Sequence, residues 1–184
     1  DPYNATRAYI GINPFNFSWQ LEAGKSFQTP EVVMIHSGEG IGEMSRRFHR
    51  LYRNRLVTSK YKNEERSALI NNWEATYFDF NEDKIVSIAQ KAQKGGIKLF
   101  VLDDGWFGKR EDETSGLGDW YVNEEKMEGT LKDLIDFTHS KGMRFGLWFE
   151  PEMVSRDSDL FRAHPDWAMQ TPDEEAVEAR RQLM

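Results

Sequence analysis

Residues 97–106, IKLFVLDDGW, most constrain what this chain can fold into: after Lys98 the segment carries no charge until two adjacent carboxylates, a glycine and a tryptophan close it. A strand covered on both faces of a parallel sheet reads as such an unbroken apolar run, and in barrels of alternating strands and helices the ligand site lies where those strands end. The pattern recurs at residues 143–153, MRFGLWFEPEM, which pass through another apolar segment into Trp148, Glu150 and Glu152. Two strands are therefore expected to bring acids and indoles to one rim.

The sequence around these segments alternates strand, helix, strand, helix, strand from about residue 69. The first strand is expected in LINNWEATYF. Asn81 then suits the N-cap of a helix, Glu82 and Asp83 suit its positive end, and Ile85, Ile88, Ala89 and Ala92 fall on one stripe before Gly95 and Gly96 stop it. A second helix is expected from Thr130, where Asp133 completes a capping-box-like pattern, burying Leu131, Leu134 and Ile135 and ending at Gly142. The expected fold class is α/β with a parallel sheet. If it is a (β/α)8 barrel, these units are the first three to four, since a complete barrel needs roughly 250 residues.

Upstream the pattern differs. AYIGI, FNFSWQLE and EVVMIHS carry branched and aromatic residues separated by Pro14, Gly24 and Pro30, which reads as three strands. Residues 43–57 switch to helical period, with Met44, Phe48, Leu51, Tyr52 and Leu56 on one face, as expected of a connecting helix. Three parts follow: residues 1–40 as the end of a β domain, 41–66 as a linking helix, and 67–184 as the beginning of a barrel.

Composition narrows the possible functions. A net charge of −7, with basic residues scattered among acids, disfavours a nucleic-acid partner; the cluster from Arg46 to Arg55 would spread around one helix as a solvated face. No apolar run approaches the roughly 20 residues needed to span a bilayer, so no membrane partner is expected. The absence of cysteine removes disulfides and thiolate metal sites and is compatible with a cytoplasmic location. The chain opens with Asp1 rather than Met, so the lack of a leader carries no meaning.

Adjacent strand residues point to opposite faces, so Asp103 and Asp104 converge only if the strand ends between them, which Gly105 favours. Paired carboxylates suit neighbouring hydroxyls, and the flat faces of Trp73, Trp106 and Trp148 suit the apolar face of a sugar ring. Glu74 and Glu150 are expected at the same rim. The loop from Phe107 to Lys126 follows the second strand and is expected over the site, with Asp119 and Trp120 either in contact with a ligand or, as the safer reading, part of a solvated loop. A rival use of Asp103, Asp104, Glu150 and Glu152 is a magnesium or calcium site of a metal-dependent barrel enzyme. His36, His49, His139 and His164 sit on different elements without metal-ligand spacing.

Five motifs in order, NNWEATYFDF, LFVLDDGWFG, LGDWYVN, GLWFEPEMVS and AHPDW, closely resemble the family 36 glycoside hydrolases, the microbial α-galactosidases. Residues 11–34, GINPFNFSWQLEAGKSFQTPEVVM, resemble the end of that family's N-terminal β-supersandwich domain. The resemblance implies a (β/α)8 catalytic barrel, retaining hydrolysis of terminal α-galactosyl groups from melibiose, raffinose and similar oligosaccharides, no cofactor, no metal, and a homo-tetramer. It gives Asp103, Asp104 and Trp148 the galactose pocket and puts Trp73 at its edge. ARRQLM matches the family's Gly-Arg-Asn-Gln-Leu stretch only in part, departing at Ala179 and Arg181; aligned, Arg180 is a sugar-contacting arginine.

The family's nucleophile is an Asp in a Lys-Trp-Asp segment of a later strand, and its acid/base is an Asp later still. Neither is present here, so the chain is expected to be an internal fragment with binding residues and no catalytic ones. Three other readings stay open: a related α-N-acetylgalactosaminidase or galactosyl transferase, a non-catalytic carbohydrate-binding module, and the metal-dependent enzyme.

Overall fold

The computed structural model describes residues 6–170, 178, 179, 182 and 183. The chain divides into two compact units, residues 1–64 and 65–184.

In the first unit, residues 6–39 form no paired strand among the described residues. Their backbone bonds are local turns, such as Phe17 N–H to Pro14 O and Lys25 N–H to Glu22 O. Trp19 and Phe17 pack on Phe27, while Tyr9, Ile10, Phe15 and Met34 stay exposed. The three strands expected from composition are not realised as a ladder here. Branched and aromatic residues fit a pleated surface, but a strand exists only where a neighbour takes its N–H and C=O groups.

Helix α1 spans Gly40–Leu51 and passes into one wider, π-type turn at Tyr52–Leu56. Glu43 accepts hydrogen bonds from Arg50, Arg46 and Arg47, which hold its carboxyl down at about 2. Part of the basic cluster is thus neutralised within its own helix.

The second unit carries a three-stranded sheet: β1 (Leu69–Asn71), β2 (Leu99–Leu102) and β3 (Arg144–Leu147), parallel and in sequence order. Short helix α2 (Trp73–Thr76) and α3 (Glu82–Lys94) connect β1 to β2, and α4 (Leu131–Ser140) connects β2 to β3. Helix α5 (Asp159–Ala163) follows, and β4 (Glu178–Ala179) pairs antiparallel with β5 (Gln182–Leu183). Leu69 stands opposite Leu99, and Leu102 opposite Leu147.

The caps behave as the sequence predicts. Asn81 accepts the Lys84 amide at the start of α3, and Thr130 and Asp133 bond each other's backbone at the start of α4. Ile85, Ala89 and Ala92 face the core with Leu134, while Phe100 and Leu102 project from β2 at 0% exposure. Leu99 and Val101 on the other face of β2 are half-buried, as a strand flanked on both sides requires. The first strand is shorter than expected, ending at Asn71. Its side-chain oxygen accepts the Trp73 amide, which turns the chain into α2.

Candidate functional site

The sheet delivers its rim by register. With Leu102 opposite Leu147, the next residues out are Asp103 on β2 and Trp148 on β3, and the Trp148 amide still bonds Leu102 O at 2.9 Å. Beyond β1, Asn72 Oδ1 accepts the Asp103 amide at 2.8 Å, so three strand ends are tied at one level. The ladder stops at Leu102, and Asp103 Oδ1 accepts the amide of Asp104 at 2.8 Å. Gly105 then turns at φ +94°, where an added Cβ would lie 3.1 Å from the Phe78 ring. This early stop lets two neighbouring carboxylates face the same side.

Asp103, Asp104, Trp73, Trp148 and Glu150 line one cavity of about 610 Å3, with Arg110, Glu113, Met153 and Gln182 completing its wall. Four of the five expected sugar-contacting residues therefore share it. Arg180 lies outside the described residues. Glu74 does not line this cavity; it accepts from the Tyr77 hydroxyl at 3.3 Å.

The two aspartates differ in environment. Asp104 receives the guanidinium fork of Arg110, with Nε at 2.9 and 3.2 Å from its oxygens and Nη2 at 2.8 Å, and both side chains are almost wholly buried. Asp103 is held by amides, from Asn71 Nδ2 and the Asp104 backbone. Burial pushes the Asp103 carboxyl above its ordinary range and the charge of Asp104 adds to this, against the pull of those hydrogen bonds.

Three expectations need correction. Trp106 is not a sugar platform: it is 3% exposed, packs edge-on to Phe107 and donates from Nε1 to Trp148 O at 3.0 Å, supporting the rim from behind. Asp119 is spent on structure, accepting the amides of Asp159 and Leu160 at 2.9 and 3.0 Å at the N-terminus of α5. Trp120 packs 4.3 Å from Phe107 and borders a separate cleft of about 310 Å3 that also contains Glu152 and Trp167.

Among the lining residues that sequence reading missed, Glu113, Met153, Gln182 and Arg110, the last is paired with Asp104. It stands in a charged loop beside Lys109 and Glu111, and only the tertiary fold distinguishes it from those neighbours.

Chemically, the cavity offers carboxylate acceptors, one buried cation and two indole walls. Among the described residues no three His, Asp or Glu side chains converge to hold a metal ion. Arg110 already supplies the positive charge that a cation would bring to Asp104. The mixture of charged acceptors and flat apolar faces suits a polyhydroxylated ring. No helix is long and apolar enough to cross a membrane among the described residues.

Fold and site together define a parallel α/β protein with an acidic, indole-walled site at the carboxyl ends of its strands. The chain belongs to the melibiase family, whose profile matches residues 26–184. It is 53% identical over all 184 residues to α-galactosidase AgaA of Geobacillus stearothermophilus and 48% identical to α-galactosidase Mel36A of Lactobacillus acidophilus. In each case it covers 25% of the relative, so the chain spans about a quarter of the length of these curated relatives. The crystal structure of the family 36 enzyme AgaA superposes with a TM-score of 0.88 at 55% identity, over 94% of this chain and 24% of AgaA. Variants of AgaA have been crystallised with stachyose and with raffinose.

Proposed function

We propose that this chain is the galactose-gripping portion of a retaining α-galactosidase, an enzyme that removes terminal α-galactosyl groups from oligosaccharides such as melibiose and raffinose. The observation that carries the reading is the shared cavity of Asp103, Asp104, Trp73 and Trp148 at the ends of successive parallel strands. Support comes from the family membership and from the raffinose and stachyose bound by AgaA variants. In this reading residues 67–184 are the first three to four units of a (β/α)8 barrel, residues 41–66 link, and residues 1–40 close a β-supersandwich domain. A homo-tetramer and a cytoplasmic location belong to the same proposal, by resemblance to the family.

The aspartates bind here rather than break bonds. A retaining glycosidase brackets the glycosidic bond with two carboxyl groups about 5–5.5 Å apart, one a nucleophile and the other an acid that becomes a base. Asp104 is bound to Arg110, and Asp103 is bound to its own neighbour's amide, so neither is placed for attack from an opposite face. Both accept charge-assisted hydrogen bonds from galactose hydroxyls that tighten as the oxocarbenium-like state develops. Trp148 and Trp73 cover the apolar face of the ring, and Arg180 contacts the sugar. The nucleophile and the acid/base come from sequence outside residues 1–184.

The test is hydrolysis of a nitrophenyl α-galactoside and of raffinose by the full-length enzyme, with product stereochemistry followed by NMR. Retention is expected, and Asp104→Asn is expected to lower kcat/KM by on the order of 10²–10³-fold. Unchanged kinetics in that variant, or preference for an N-acetylgalactosaminide, would reject the reading.

A further inference from the structure

We propose that Arg110 is a positioning residue for sugar binding: its planar fork fixes the orientation of the Asp104 carboxylate, so that the remaining lone pairs of that group meet neighbouring ring hydroxyls. The inference rests on the reading of Asp104 as a sugar acceptor and names what aims it.

The geometry is that of a built support. Nε and Nη2 of Arg110 together make three contacts of 2.8 to 3.2 Å with the two Asp104 oxygens. Nη1 is turned the other way and donates to Ser115 O at 2.9 Å, so the guanidinium is held across its width. The Phe78 ring lies 5.5 Å from its central carbon. Lys126 Nζ donates to Arg110 O at 3.3 Å and to Phe78 O at 2.9 Å, clamping the loop that carries the arginine. Gly116 passes so close behind that an added Cβ would sit 2.9 Å from the Arg110 amide nitrogen. Arg110 therefore has little freedom in backbone or side chain.

Asp103 makes the contrast. Among the described residues it has no ion-pair partner, and amide groups orient it. A carboxylate has about four lone-pair sites, and a two-pronged guanidinium fixes its plane while occupying only part of them. Lysine supplies the same charge as a point, without a plane. A carboxylate free to rotate about χ2 presents its lone pairs to the hydroxyls only part of the time, and a displacement of about 1 Å in a sugar-positioning group can cost about 10²-fold in rate.

The experiment is a double-mutant cycle in the full-length enzyme, with kcat and KM measured on a nitrophenyl α-galactoside and galactose affinity measured as competitive inhibition. Arg110→Ala is expected to lower kcat/KM by about 10²-fold. The loss should vanish in an Asp104→Asn background, since the arginine acts through that carboxylate. Arg110→Lys should melt close to the parent and still be defective, and millimolar guanidinium, but not methylammonium, should restore part of the Arg110→Ala activity. If Arg110→Ala fails to fold, the lysine variant carries the same cycle. Losses that multiply independently, or full activity in Arg110→Lys, would overturn the proposal while leaving the role of Asp104 standing. An Asp104→Asn enzyme with parental kinetics would remove the reading beneath it as well.

Discussion

Asn72 and Asp103, 31 positions apart, are joined by a 2.8 Å hydrogen bond from the Asp103 amide to Asn72 Oδ1 just where the β1–β2 ladder runs out. Asn72 is 0% exposed, and its Nδ2 donates to Thr76 Oγ1 at 2.9 Å, so one amide side chain closes both the strand end and the first turn of α2. Asn72→Ala leaves a buried amide N–H without its acceptor, at a cost of about 1–3 kcal/mol. A lowered Tm together with weaker galactose inhibition is expected, and Asn72→Asp should recover part of both.

Asp103 predicts a trade of stability against function. Burial, helped by the charge of Asp104, raises its carboxyl above 3.8, so the native state holds the proton more tightly than the unfolded chain does. Stability is then lost as pH rises from the unfolded value through the higher native one, and the full cost of the ionised group is present above that window. Asp103→Asn is expected to raise Tm at neutral pH, with the gain shrinking as the pH falls towards about 4, while α-galactoside turnover collapses. A gain that grows on acidification would contradict the assigned cause.

For Asp119 a stability effect without a binding effect is expected. Asp119→Ala removes the acceptor of two amides at the N-terminus of α5, worth about 1–2 kcal/mol. KM for a nitrophenyl α-galactoside should stay at the parental value while Tm falls. A raised KM with an unchanged Tm would return this residue to the sugar site.

Gly116 tests the support behind the rim. It adopts φ +70°, and a Cβ would approach Lys109 C and Arg110 Cα at 3.0 and 3.1 Å as well as the Arg110 nitrogen. All three are backbone atoms, so relief requires the loop to move. Gly116→Ala is expected to cost at least about 1–2 kcal/mol from backbone handedness alone and to reduce activity through Arg110. Parallel measurements of Tm and kcat/KM check both parts.

Much of the second unit was legible because its signals are local. Asn81 with Lys84, and Thr130 with Asp133, are bonds within one turn, and helical spacing alone places Ile85, Ala89 and Leu134 inward. The apolar runs located all three strands of the sheet but overstated the first, since Asn71 and Asn72 turn the backbone before the pattern fades. Asp103, Asp104 and Trp148 could be placed at the rim because they lie one or two residues beyond the ends of β2 and β3. Arg110 could not, because its partner is chosen by how the loop folds back rather than by its neighbours in sequence. The same blindness left Asp119 open between a ligand contact and a solvated loop, when its partners lie 40 and 41 positions away.

Matching Leu102 with Leu147 sets the address of every rim group by counting along the strands. Deleting or inserting one residue within β2 would swing both carboxylates round together, whereas the loop after Phe107 acts on the rim through the Arg110 contact and not through that count. Descendants of such a sequence can therefore reshape what surrounds the sugar only around the arginine that steadies one of its carboxylates.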